Sequence, residues 1–204
     1  GLQTVLEMRG FSCIGLEAAP PPRKTLLCSR SFGRPVTSLR EMREAVAAYA
    51  GRAAEKLRKE GRCGGVASHV MVFILTNPHK AEPQYANSHT TAIAVPTAHT
   101  PELIRADQTC LERIYKPGYS YKKAGVMLLG IERADQRQLS LLNLPPNDDR
   151  REEQLMRTLD RVNEKWGRAT LTHAAAGLGR PWKMRQLRKS ARYTTSWNEI
   201  PLVR

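Results

Sequence analysis

The sequence predicts an α+β fold: a β-α-β-β-α-β unit with a four-stranded antiparallel sheet and both helices on one face, followed by a small basic appendage. Three observations predict it. Between Lys24 and Ile131, strand-like and helix-like segments alternate in that order. The stretch Ala18-Ala19-Pro20-Pro21-Pro22 sets this unit apart, because consecutive prolines lock φ and hold the chain extended. Beyond residue 135 the chain turns polar and strongly basic.

Taken in order, Gly1 to Leu16 places Leu2, Val5, Leu6 and Met8 at the spacing of a helix end, stopped by Gly10. Lys24 to Phe32 is a strand closed by Gly33. Ser38 and Glu41 have the spacing of a capping box, opening a helix with Leu39, Met42, Val46, Tyr49, Ala53 and Leu57 on one stripe. Gly61, Gly64 and Gly65 end it. Val66 to Leu75 is almost continuously apolar and predicts a buried strand. Asn77-Pro78 marks a turn, and Ala86 to Val95 is the third strand. Thr100 as N-cap and Pro101 at the first helical position open a second helix with Leu103, Cys110, Leu111 and Ile114 inward. Tyr119 to Ile131 is the fourth strand. Gln136 to Asp149 connects to a helix over Glu152–Trp166 with Leu155, Leu159 and Val162 as its stripe. The remainder to Arg204 contains strand-like and loop-like pieces.

The 204 residues carry 33 Lys and Arg against 19 Asp and Glu, a net charge of +14. That excess favours a polyanionic partner, with nucleic acid ahead of a membrane surface. No run of 18 apolar residues exists, and the start shows no signal-peptide pattern, so a cytoplasmic protein is expected. The cysteines at 13, 28, 63 and 110 lack metal-type spacing and predict reduced, mostly buried thiols. His69, His79, His89 and His99 recur every ten residues, a period that matches neither helix nor strand, so no metal site is expected.

Residues 1–134 hold 19 basic and 11 acidic side chains; residues 135–204 hold 14 and 8. Lys165 to Arg192 contains eight basic residues and no acidic one, interleaved with Trp166, Trp182 and Tyr193. Arg168, Arg180, Trp182, Lys183, Arg185 and Arg188 therefore form a candidate basic patch, suited to phosphates and unpaired bases. Within the strands, Ser29, Arg30, Ser31 and Arg34, with Tyr121, Lys122 and Lys123, are candidate DNA contacts, since hydroxyls, cations and close backbone position a duplex through its phosphates.

Cys28-Ser-Arg-Ser-Phe-Gly33, Tyr49 to Leu57 (YAGRAAEKL), Tyr121 to Leu128 (YKKAGVML), Gly177-Leu-Gly-Arg-Pro-Trp182 and Arg192-Tyr-Thr-Thr195 resemble the C-terminal half of the UmuC family. These are bacterial Y-family translesion polymerases, and the resemblance is collinear along nearly the whole chain. It implies the end of a thumb helix over 1–17 and a proline-rich linker over 18–23. A little-finger DNA-binding domain over 24–134, a connector over 135–150 and an accessory domain over 151–204 would follow. It further implies SOS-associated translesion synthesis, primer–template DNA as ligand and a nucleoid-associated bacterial location. The implied protein partners are the sliding clamp, the UmuD′ dimer and RecA. Gln138-Leu139-Ser140-Leu141-Leu142 resembles the clamp-binding peptide Q-L-x-L-F at the place where UmuC proteins carry it, with Leu142 replacing the aromatic.

A polymerase needs carboxylates holding Mg²⁺. The family's D-x-N-x-F-Y and S-x-D-E-A motifs do not occur here, nor does a P-loop, so no catalytic residue and no cofactor is expected in this chain. Any Mg²⁺ would belong to a palm domain. Two alternatives fit less of the sequence. One is a stand-alone DNA-binding or regulatory module derived from the family. The other is an RNA-binding protein of the same topology, whose aromatic strand motif is missing from Ala86–Val95. Replacing Gln138, Leu139 and Leu141 together with Ala is expected to abolish capture by an immobilised sliding clamp while DNA binding persists; undiminished capture would place the clamp contact elsewhere.

Overall fold

The computed structural model describes residues 1–15, 22–60, 64–136, 149–186 and 190–201. The elements are α1 (Leu2–Met8), β1 (Thr25–Val36), α2 (Leu39–Arg58), β2 (Gly65–Thr76), β3 (Ala86–Thr97), α3 (Thr100–Ile114), β4 (Tyr121–Arg133) and α4 (Asp149–Trp166), with three short 3-10 turns. The sheet order is β1-β4-β2-β3 and every neighbouring pair is antiparallel. α2 packs on β1 and β4, and α3 on β2 and β3, so both helices cover one face, as the sequence predicts.

Side-chain alternation explains the core. Leu26, Cys28 and Phe32 of β1, Val70, Val72 and Ile74 of β2, and Ala124, Val126 and Leu128 of β4 point into the helix layer. They meet Met42, Val46, Ala53 and Leu57 of α2, and Leu103, Cys110, Leu111 and Ile114 of α3. At the end of the sheet, Tyr121 packs among Tyr85, Tyr115 and Tyr119 at centroid distances of 5.6–6.4 Å. Asp107 is buried beside this core with no hydrogen bond to either carboxylate oxygen among the described residues, and burial pushes its pKa well above the usual range.

Several local expectations are corrected. β1 runs past Gly33 to Val36, with a register irregularity between Ser31 and Val36 that lets Pro35 sit on an edge strand without a ladder donor. Ser38 is the N-cap of α2, yet its side chain makes no cap bond; Glu41 turns outward to Arg34 instead of closing the box. α3 is capped by His99, one residue before Thr100. β2 is continuously apolar only from Val70 to Leu75, and there it is buried on one face and partly exposed on the other. α4 docks through Glu152, Met156, Leu159 and Asp160, leaving Leu155 exposed, because its partners include polar groups. Among the described residues the tail holds no strand.

The appended segment docks on the helix layer. Trp182 is buried between Phe32 and Tyr49, edge-on to both rings at 6.2 and 5.9 Å. Each such pair adds about 0.5–1.5 kcal/mol beyond area burial. The Gly33 N–H donates to the Trp182 carbonyl at 3.0 Å. A Cβ on Gly33 would collide with the Lys183 carbonyl, so this residue must be small for the tail to reach the strand edge. Ala176 fills a dimple lined by Ala47, Ala50 and Ile104.

The second tie is ionic. The Arg58 guanidinium donates to both Asp160 oxygens, at 2.6 and 2.7 Å, and to the Ala98 carbonyl and Thr100 hydroxyl, both at 2.8 Å. Both charged side chains are nearly buried, at 11% and 13% exposure, so each needs the other. Asn163 holds the following loop by bonding the backbone of Leu171 in both directions. Asp160→Ala is expected to strand the Arg58 charge and cost about 3 kcal/mol, measured by urea denaturation; a loss under about 0.5 kcal/mol, the scale of an exposed pair, would show that the pair does not hold α4.

Candidate nucleic-acid interface

The sheet face opposite the helices is left uncovered by the described residues. Strand alternation places Leu27, Ser29 and Ser31 of β1 there, beside Lys123, Gly125 and Met127 of β4 in register. Met71, Phe73 and Leu75 of β2 continue the rows, paired with Thr90, Ser88 and Ala86 of β3. The surface is therefore a low apolar floor with hydroxyls at its margins and a cation at one end.

Gly125 makes the floor flat. A Cβ at this position would overlap the Phe73 ring and come within 2.6 Å of the Ser29 Cβ, so the phenyl ring lies across bare backbone. Lys123 holds its ammonium 5.9 Å from the centre of that ring, drawn by the negative face of the π system. Phe73 and Gly125 escaped the sequence reading, although alternation counted from Val72 would have put Phe73 on the open side.

The structure divides the predicted strand contacts. Ser29, Ser31 and Lys123 share the open face. Arg30 has the opposite parity and lies on the helix side beside Tyr49 and Cys28. Lys122 occupies the irregularity in β4 and donates to the Phe32 carbonyl at 3.0 Å, so its charge is turned inward. Tyr121 has no exposed surface; its hydroxyl donates to the Lys116 carbonyl and accepts from the Lys116 N–H. Arg34 is paired with Glu41. Arg30, Lys122, Tyr121 and Arg34 therefore do not join one surface with the two serines, because a pleat sends successive side chains to opposite faces.

In the tail, Arg168, Lys183 and Arg185 are exposed, whereas Arg180 is half-buried and bonded to the Gly177 carbonyl at 3.1 Å. Trp182 is part of the core, which removes it from any base-stacking surface. Arg188 and the clamp-type peptide residues Gln138, Leu139, Leu141 and Leu142 lie outside the described residues.

The four regularly spaced histidines go to different places: His69 meets Ser68, His79 lies in the β2–β3 turn, His89 meets Arg113, and His99 caps α3. His99 does lie near Glu102 and Glu152, with donor atoms within 4.8 Å of one another. Its Nδ1 is 3.4 Å from Glu152, which makes the group a link between α3 and α4. The positive end of the α3 dipole beside it works against a cation. Cys28 and Cys110 are buried free thiols, Cys13 is exposed, and Cys63 lies outside the described residues. Burial raises the thiol pKa of Cys28 despite Lys56 and Arg52 nearby. Gly125→Ala is expected to lift Phe73 off the floor and destabilise the domain by about 1–3 kcal/mol. Thermal unfolding checks this, and an unchanged midpoint would mean that the ring is not seated on the backbone.

Comparisons with known proteins place the sequence in a family. Residues 23–141 match the impB/mucB/samB family C-terminal domain, and residues 153–203 match a domain of unknown function (DUF4113). The chain is 40% identical over 204 residues to protein SamB of Salmonella typhimurium, covering 99% of this chain and 47% of that protein. It is 39% identical over 205 residues to protein UmuC of Salmonella typhimurium strain LT2, with the same coverage. It is also 39% identical over 202 residues to protein MucB of Escherichia coli, covering 98% of this chain and 46% of MucB. It thus spans about half the length of the curated relatives it matches. A complex of β-clamp processivity factor and the little-finger domain of PolIV covers 57% of this chain and 97% of its own. Its TM-score is 0.36 at 13% identity, too remote to bear on function. The chain belongs to the impB/mucB/samB family and carries that family's C-terminal domain.

Proposed function

We propose that this chain is the DNA-gripping and clamp-tethering C-terminal part of an error-prone, UmuC-type Y-family polymerase acting in SOS damage tolerance. The observation that carries the reading is the uncovered sheet face, flat at Gly125 and Phe73 and edged by Ser29, Ser31 and Lys123. A flat face lets a duplex backbone come close, and hydroxyls and an ammonium at its margins suit phosphate oxygens without reading sequence. Membership of the family supports the same reading. The connector peptide from Gln138 to Leu142 would address the sliding clamp, and the UmuD′ dimer and RecA would be partners of the assembled polymerase.

Nucleotidyl transfer in this reading is performed by a palm domain, whose carboxylates would hold Mg²⁺. The part described here positions the substrate duplex for it. Among the described residues no helix is long and apolar enough to cross a membrane.

Primer–template affinity, read by fluorescence anisotropy, should fall steeply with salt. Lys123→Glu should weaken it about tenfold and lower the log K against log salt slope by about 0.9 for one lost phosphate contact. Primer extension with this chain alone should give no incorporation. Salt-independent binding, or an unaffected Lys123→Glu variant, would sink the open-face reading; nucleotide incorporation would overturn the division of labour.

A further inference from the structure

A second anion-binding element lies on the other side of the edge strand. Where the tail docks against β1 and α2, it leaves a cleft of about 430 Å³ lined by Arg30, Arg52, Lys56, Arg168, Arg180 and Lys183, with no carboxylate among the described residues of its wall. Three of these cations come from the sheet domain and three from the appended segment, so the cleft exists only because the two are joined.

The cations are largely unspent. Arg52 is engaged by Glu55 at 2.5 Å, a carboxylate shared with Lys59 at 3.4 Å. Burial alone would raise the pKa of Glu55; the Arg52 hydrogen bond and charge, with Lys59, hold it below the usual range. Among the described residues no carboxylate pairs with Arg30, Lys56, Arg168, Arg180 or Lys183. Trp182 also lines the cleft, and its indole N–H finds no acceptor among the described residues, an unused donor beside the charges. Five cations without a carboxylate partner among the described residues, held together, repel one another, a cost that a bound polyanion relieves.

We propose that this cleft binds the phosphodiester backbone of a single DNA strand, with cations other than the Lys123 of the duplex-facing sheet and with only its rim, at Leu27 and Ser29, shared with that face. Shape favours one strand over two. Cations on facing walls can flank a single backbone, whereas a duplex, whose major groove alone is about 12 Å wide, does not enter a cleft of this size. Among the described residues the aromatic rings lining it, Tyr49 and Trp182, are committed to the core, so binding is phosphate-directed and indifferent to base sequence. Its six cations lie on the helix side of β1 and on the tail, while Leu27 and Ser29 of the open face form its rim, so a strand bound there would run up to the edge of the duplex-facing sheet.

The test uses the complete 204-residue chain and the double variant Arg168→Glu/Lys183→Glu, both exposed and outside the core, with circular dichroism confirming the fold. Anisotropy with a labelled oligo-dT should show about a tenfold or greater loss of affinity and a salt slope lower by roughly 1.4, about 0.7 for each of two lost contacts. Binding of a blunt duplex should change less than about twofold, and Lys123→Glu should show the reverse pattern. Failure of the sheet-face reading would appear only in Lys123→Glu, so the two sites are tested independently. Unchanged oligo-dT affinity overturns the proposal, as does an equal loss on both DNAs, which would mark general charge reduction. Tighter capture of a poly-Glu peptide than of oligo-dT also overturns it, by assigning the cleft to an acidic protein.

Discussion

The seat of Trp182 between Phe32 and Tyr49 decides the layout of everything around it. Unlike the exposed Trp166 and Trp197, this indole is almost completely buried, in a socket at the edge where β1 meets α2. Once it is filled, the backbone bond from Gly33 and the packing of Ala176 fix the tail against the helix layer. The Arg58–Asp160 pair then closes the far end. The appended segment is thereby kept off the opposite sheet face.

That arrangement sorts a net charge of +14 into different duties. Arg58 is consumed by Asp160, Arg34 by Glu41 and Arg52 by Glu55, and Lys122 is spent on a backbone carbonyl. These cations build the fold and cannot also hold a polyanion at full strength. Among the cations without a carboxylate partner in the described residues are Lys123 on one side of the sheet and five of those lining the cleft on the other. Under the proposed function, two surfaces of like charge flanking one edge strand would serve one nucleic acid where duplex gives way to single strand.

Much of the fold was legible because the signals were local. The stripe of Met42, Val46, Ala53 and Leu57 and the stripe of Leu103, Cys110 and Leu111 are periodic enough to name helices and their inner faces. Ends were less legible. The spacing of Ser38 and Glu41 suits a capping box, but Arg34, four residues upstream of the cap, draws the carboxylate away. The run Val66–Leu75 suggests burial on both faces; whether a second layer covers it depends on where the rest of the chain goes. α4 faces inward with Met156 and Asp160 because its partner is a guanidinium, which an apolar stripe cannot reveal.

The site was legible by residue type but not by side. Ser29, Arg30 and Ser31 are adjacent in the chain, yet the pleat turns the arginine to the helix side and the serines to the open face, with Ser29 also bordering the cleft. Arg52 and Lys56, one helical turn apart on α2, passed as ordinary surface charge until the tail brought Arg168, Arg180 and Lys183 opposite them. By itself the sequence determined the strand and helix order, the basic balance and the family resemblance, because these depend on local periodicity and composition. Only the tertiary structure decided which cations are spent and which are free, and which face is open. Those depend on contacts such as Trp182 with Phe32, made between residues 150 positions apart.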